Sequence, residues 1–242
     1  MKPQKFAAFD IDGTIFRWQL YHELVFDLAE NGDLPQDFLK DIIPYLENWR
    51  SRSGKSAFSD YELKLVEAFV IHLKGLRVAA VKRSAATVMA RSGDHVYFYT
   101  RDLLRSLKRQ GYALIALSGS FEQVVEPFAR KYHFDYWVGT HCESRGGIFT
   151  GEAVWNYNQK DKNLKELIPK YNLSLEGSIA VGDTASDVPM LEMVERPIAF
   201  NPNQELFDIA TKRGWDVVVE RKNVIYKLAP GKTGYELQNK RK

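Results

Sequence analysis

Aspartate dominates the residues of this 242-residue chain whose types and spacing could do chemistry. Asp10 and Asp12 flank Ile11 in Asp10-Ile11-Asp12-Gly13-Thr14, and Asp183 and Asp187 lie in Gly182-Asp183-Thr184-Ala185-Ser186-Asp187. Between these strings come Ser118-Gly119-Ser120 and Lys160. Carboxylate oxygens are hard ligands suited to Mg2+. Gathered in one place, these carboxylates would repel one another without a cation. Ser118 offers a hydroxyl, and the Gly119 stretch offers backbone N–H groups of the kind that bind an anion where a helix begins. Lys160 adds a compact positive charge. Acid cluster, cation and anion pocket together fit a phosphate bound through a metal ion.

Taken singly, each string has a plainer reading. An isolated D-x-D-G or Gly-Asp is a turn, an isolated serine a helix cap, an isolated lysine a solvated surface group. Their occurrence in order, with the acids and the hydroxyl each at a predicted strand end, overturns those readings. The strands come from short apolar runs. Residues 6–11 run into Asp-Gly, residues 112–117 into Ser118-Gly119-Ser120, and residues 178–181 into Gly182-Asp183; residues 197–200 and 215–219 are further short strands. Near-continuous apolar runs ended by turn residues are the mark of strands buried on both faces of a parallel sheet. Helical spacing fills the gaps over residues 121–132, 161–171, 187–194 and 204–212, with Lys160 at the start of the second. Alternating strand and helix with short joins implies right-handed βαβ units, and the charged strings then converge on one rim of the sheet.

One stretch departs from the alternation. From Arg17 to about Ser92 the apolar residues keep helical spacing without a strand, as in Leu24, Val25, Leu28 and in Leu63, Val66, Phe69, Val70, Leu73. Such a stretch is too long for a crossover helix. The expected fold class is therefore α/β: a Rossmann-like doubly wound parallel sheet core over residues 1–16 and 93–242, with an inserted all-helical domain over residues 17–92. The insert follows the first strand, at the sheet end where such folds bind ligands. Trp18, Tyr21 and Phe26 follow one helical face of it and read as core.

Composition narrows the function class. Lys plus Arg number 34 and Asp plus Glu 31, a net charge of +3, too mild to argue for nucleic acid or an anionic membrane. The basic end Asn239-Lys240-Arg241-Lys242 reads as a solvated tail. The single cysteine, Cys142, permits no disulfide within one chain and fits a reducing compartment, and the apolar run at residues 6–9 stops at Asp10, too short for an export signal; a cytoplasmic location is expected. Gly54-Lys55-Ser56 and Gly231-Lys232-Thr233 both lack the upstream glycine of a phosphate loop, since that position holds Trp49 and Tyr226. His141-Cys142 has no partners at metal-ligand spacing, and Asn172-Leu173-Ser174 matches a glycosylation pattern without a secretory context.

Phe9-Asp10-Ile11-Asp12-Gly13-Thr14 resembles the first motif of the haloacid dehalogenase superfamily. Leu117-Ser118-Gly119-Ser120-Phe121 is similar to the second motif, Lys160 with Leu164 and Leu167 to the third, and residues 181–191 from Val181-Gly182-Asp183 onward to the fourth. Lys162 competes for the third motif; Lys160 is preferred because its spacing to Leu164 and to Asp183 is similar to that of the phosphoserine phosphatase-like branch. That branch carries a helical cap between the first two motifs, in agreement with residues 17–92, and Gly146-Gly147-Ile148-Phe149-Thr150-Gly151 also looks like it.

The resemblance implies a Mg2+-dependent phosphatase. Asp10 would attack phosphorus, and Asp12 would protonate the leaving alcohol and then activate water. Asp10, the backbone carbonyl of Asp12 and Asp183 would hold Mg2+, with Asp187 supporting them. Ser118, Gly119 and Lys160 would hold the phosphoryl oxygens. The implied partner is a small-molecule phosphomonoester. A phosphotransferase or phosphomutase on the same scaffold is the rival within the family; a phospho-signalling receiver is the rival outside it, disfavoured by the helical insert. Phosphoserine phosphatases resemble one another in a cap Glu nine places after the nucleophile and a cap Arg. Here those positions hold Gln19 and Phe69. Glu23 and Arg17, Arg50, Arg52 or Arg77 could supply those charges from elsewhere, so the alternative stays open; the expectation is an enzyme not dedicated to phosphoserine, with an apolar or sugar-like leaving group against Trp18 and Phe69.

Overall fold

The structure, a computed structural model, describes residues 2–35, 37–231 and 234–238. The basic end and the pair Lys232-Thr233 lie outside them. In chain order the elements are β1 (Gln4–Phe9), α1 (Leu20–Glu30), α2 (Ile43–Arg50), α3 (Ala57–Leu73), α4 (Val78–Ser92), α5 (Phe98–Arg109), β2 (Ala113–Phe121), α6 (Glu122–Lys131), β3 (Tyr136–Arg145), β4 (Ile148–Val154), α7 (Lys160–Lys170), β5 (Leu173–Gly182), one 3-10 turn (Ala185–Asp187), α8 (Val188–Leu191), β6 (Arg196–Phe200), α9 (Gln204–Arg213), β7 (Asp216–Arg221), β8 (Val224–Gly231) and β9 (Gly234–Leu237).

The strands form one sheet in the order β4-β3-β2-β1-β5-β6-β7-β8-β9. All pairings from β3 through β7 are parallel, and the antiparallel ones are confined to the two margins. Chain order reverses at β1, which has β2 on one side and β5 on the other, so the crevice beyond its carboxyl end is the topological switch point.

Burial explains the apolar run of β1. Phe6, Ala7, Ala8 and Phe9 are all fully buried. Successive side chains point to opposite faces. Ala7 and Phe9 join one cluster with Leu104 and Leu107 of α5 and Val124 and Phe128 of α6. Phe6 and Ala8 join the other with Leu164 of α7, Met190 and Leu191 of α8, and Leu206 of α9. Helices thus cover both faces of the sheet. The first cluster runs on into the insert through Leu20, Leu24, Leu65, Phe69, Val81 and Val88, so α1, α3 and α4 share a core with the sheet.

Several elements differ from the sequence reading. The helix expected over residues 187–194 is a 3-10 turn followed by a single short helical turn, α8, because Asp187 is used to cap the loop before it. Ser118-Gly119-Ser120, expected as a loop after a strand, lie within β2 where its register with β3 shifts. The helix α5 and the β3–β4 hairpin, turned at Gly146-Gly147, have no counterpart in that reading. The last thirty residues, in which no motif was found, supply β7 and the antiparallel β8 and β9.

Candidate active site

The carboxyl ends of β1, β2 and β5 bring the charged strings together. Asp10 follows β1 directly, and its backbone N–H donates to the Val181 carbonyl of β5 at 3.0 Å. Lys160 is the first residue of α7, and its Nζ donates to Asp10 Oδ1 and to Asp187 Oδ1 at 2.6 Å each. All three side chains are buried. Asp187 Oδ2 in turn accepts from the backbone N–H groups of Asp183 at 3.0 Å and Thr184 at 3.1 Å. Asp187 therefore both neutralises Lys160 and shapes the loop that presents Asp183. The Thr14 hydroxyl donates to Asp183 Oδ1 at 3.3 Å.

Two glycines permit this approach. Gly13 has φ +78°, and a Cβ there would stand 2.1 Å from Asp183 Oδ2. A Cβ on Gly182 would stand 2.4 Å from Cβ of Asp187. No other residue fits between the acid loops at either position.

Asp12 is held apart from that group. Its Oδ2 accepts from Ser118 Oγ at 2.8 Å and Ser120 Oγ at 2.7 Å, and its Oδ1 from the Leu20 N–H at 2.6 Å, at the start of α1. The Ser120 hydroxyl also accepts from the Tyr21 N–H at 3.1 Å. The nearby Asn156 donates from Nδ2 to the Ser118 carbonyl at 2.7 Å and to the Val138 carbonyl at 3.1 Å. Ser120, Asn156 and Thr14 were not singled out from the sequence. Ser120, two places after Ser118 on one strand face, was the one with a readable signal.

Phe69, expected to line the leaving-group side, is fully buried against Tyr21 and Phe121, with ring centroids at 5.9 and 5.2 Å. It belongs to the core, because α3 turns its apolar stripe toward α1 and β2. Trp18 is half-buried and stacks on Trp49 at 4.9 Å. Tyr21 is buried, and Trp18 and Phe26 pack against the same cluster, as the helical face implied.

The electrostatics ask for a cation. Oxygens of Asp10, Asp183 and Asp187 lie within 4.8 Å of one another. Burial pushes the Asp10 carboxyl from its ordinary 3.8 up to about 8, although Lys160 works against it. Burial, and then the charges of Asp10 and Asp187, hold Asp183 well above the usual carboxylate range. For Lys160, burial acts to lower the pKa, but Asp10 and Asp187 outweigh it and hold the ammonium charged. One ammonium against three carboxylates leaves a negative excess among hard oxygen donors, which fits Mg2+.

A stability test follows from the sign of these shifts. A carboxyl whose folded pKa is raised favours the folded state below its unfolded pKa and loses that contribution as pH rises through the folded value. In EDTA, the Tm should fall as pH rises from about 5 to about 8, and saturating Mg2+ should remove most of that slope. Equal slopes with and without the ion would count against metal binding by these acids.

Comparison with known proteins agrees with this arrangement. The profile of the haloacid dehalogenase-like hydrolases matches residues 7–192. A phosphoserine phosphatase of Archaeoglobus fulgidus is 28% identical over 212 residues, 86% of this chain and 56% of that protein, so the chain spans little more than half of that relative's length. A phosphoserine phosphatase of Methanocaldococcus jannaschii is 24% identical over 226 residues, 92% of this chain and 95% of that one. Among solved structures, a Bordetella pertussis protein of unknown function superposes with a TM-score of 0.71 at 22% identity, covering 89% of this chain and 98% of its own. With the acid loops, the serine strand and the lysine helix all inside the matched span, the chain belongs to the haloacid dehalogenase-like hydrolase family, on the branch that its phosphoserine phosphatase relatives represent.

Proposed function

We propose that the protein is a cytoplasmic, Mg2+-dependent phosphatase that hydrolyses a small phosphomonoester through an aspartyl-phosphate on Asp10. The observation that carries this reading is the buried Asp10–Lys160–Asp187 bridge beside Asp183, with Asp12 held separately by two serines. Asp10, Asp183 and the Asp12 backbone carbonyl would hold the ion, with Asp187 positioning them. When bound, Mg2+ supplies positive charge to the phosphoryl oxygens.

A carboxylate oxygen of Asp10 attacks phosphorus, and the bond to the leaving oxygen breaks. Asp12 gives that oxygen a proton. Its carboxyl suits this task, because burial raises its pKa although the N–H of Leu20 and the hydroxyls of Ser120 and Ser118 favour the ionised form. A water then passes its proton to Asp12 as its oxygen attacks phosphorus, which frees inorganic phosphate and the Asp10 carboxylate. Ser118, the Gly119 backbone and Lys160 steady the phosphoryl oxygens, and residues 17–92 form a cap that excludes water and selects the leaving group. Phosphoserine is not the preferred substrate, since Gln19 carries no charge and Phe69 is buried core.

Asp12→Asn tests the division of labour. With a good leaving group little protonation is needed, so phosphorylation of Asp10 by p-nitrophenyl phosphate should persist while release of phosphate slows. An alkyl phosphate should lose both steps. Burst and steady-state rates measured with Mg2+ separate the two. Equal losses for both substrates would contradict the role of Asp12, and no Mg2+-dependent hydrolysis by the native protein would overturn the reading as a whole.

A further inference from the structure

In that mechanism the alcohol leaves on the side of Asp12, and α3 places Glu62 between Phe58, which meets Trp18 and His22, and Phe69, which meets Tyr21, next to the start of α1 where the Leu20 N–H holds Asp12. Glu62 lies on α3 one turn after Phe58, and Leu65 and Phe69 follow it on the same stripe. That stripe faces α1 and β2: Phe58 meets His22 and Trp18, and Phe69 meets Tyr21 and Phe121. Every other position of the stripe is aromatic or aliphatic, so a half-buried carboxylate in it is out of pattern. Among the described residues Glu62 has no hydrogen-bond or ion-pair partner. It stands near enough to Asp12 and Lys160 to feel both charges; burial, and after it Asp12, pushes its carboxyl up to about 7. Among the described residues Lys160 is the cation that acts on it, and that ammonium is already shared by Asp10 and Asp187.

Beside Glu62 stands an aromatic wall. Trp49 stacks on Trp18 at 4.9 Å and on Tyr61 at 5.9 Å, and Phe58 closes the group at 6.2 Å from Trp18. His22 sits against Tyr61 at 5.0 Å with both ring nitrogens buried and, among the described residues, unpartnered. Burial lowers its pKa to about 3, so it is neutral and adds no positive charge to the wall. Trp18, Trp49 and Phe58 stay half-buried, which leaves the wall an open side. Aromatic faces next to an unpaired carboxylate form a setting that attracts an organic cation. A leaving group with its own carboxylate would bring a like charge toward Asp12 and Glu62.

We propose that Glu62 is the specificity-determining residue for the leaving group, and that the substrate is a small phosphomonoester of an amino alcohol without a carboxylate, its ammonium seated between Glu62 and the aromatic wall. This rests on the phosphatase reading above and narrows its substrate.

The test is kcat/KM at saturating Mg2+ for O-phosphoethanolamine, propyl phosphate, L-phosphoserine and p-nitrophenyl phosphate. Propyl phosphate matches phosphoethanolamine in size and lacks the charge. The native protein should favour phosphoethanolamine over both propyl phosphate and L-phosphoserine by about tenfold or more, the scale of one hydrogen bond to a charged group. In Glu62→Gln the ratio of phosphoethanolamine to propyl phosphate should fall to near unity. Propyl phosphate or L-phosphoserine matching or exceeding phosphoethanolamine, or an unchanged ratio in Glu62→Gln, would overturn the assignment. If p-nitrophenyl phosphate is still hydrolysed in an Asp10-dependent way, the phosphatase reading survives that result. Loss of all four activities in the native protein would remove both.

Discussion

Asp10→Asn should lower turnover by about a thousandfold or more, because loss of a covalent nucleophile closes the whole two-step route. The fold should survive the change. Asparagine keeps the size of the side chain, the Asp10 backbone N–H still pairs with the Val181 carbonyl, and Lys160 keeps Asp187. The substitution also removes a buried carboxylate whose ionisation burial opposes, so the metal-free protein should be no less stable at about pH 8. Steady-state hydrolysis of p-nitrophenyl phosphate and thermal unfolding, run side by side, check both parts. Activity within about tenfold of the native protein would remove Asp10 as the nucleophile.

Lys160→Met should be the most destabilising single change at the site. The lysine side chain is 5% exposed, and its partners Asp10 and Asp187 are 6% and 0% exposed, so solvent screens little of the interaction. Removing one partner of a buried ion pair typically costs about 3–5 kcal/mol, because the remaining charge is left uncompensated. In a chain of this size that corresponds to a Tm lower by roughly 6–20 °C. The loss should depend on pH. At about pH 5 Asp10 can take a proton and shed the uncompensated charge, so the variant should lie closer to the native protein there than at about pH 8. Thermal unfolding in EDTA at both values is the measurement. A Tm within about two degrees of native at the higher pH would show that the bridge contributes little to folding.

The central strands and the charged strings were legible in the sequence for a local reason. A strand buried on both faces must be apolar at every position, so Phe6-Ala7-Ala8-Phe9 ending at Asp10 identifies a parallel strand and the end at which the acids stand. The same holds for the runs before Ser118 and Gly182, and for the helical spacing of α6 and α7. The α5 helix carries the same kind of signal, with Tyr99, Leu104 and Leu107 buried at helical spacing and charged residues on the opposite face, and the sequence reading passed over it. β8 and β9 lie at a half-exposed margin, where no full apolar run is required.

The sequence by itself therefore determined the α/β alternation, the strand-free helical spacing after β1, and the order of the candidate residues Asp10, Asp12, Ser118, Lys160, Asp183 and Asp187. Tertiary structure alone decided what each of them touches. Lys160 reaches Asp10 across 150 residues, and Ser120 reaches Asp12 across 108. Neither contact follows from spacing, because it depends on β1 lying between β2 and β5 and on α7 starting beside their ends. The burial of Phe69 and the half-burial of Glu62 were likewise beyond the sequence. Helical periodicity states which residues share a face of α3, but only the packing of that face against α1 and β2 determines that Phe69 enters the core while Glu62, nearly two turns earlier, stays half-buried beside the start of α1.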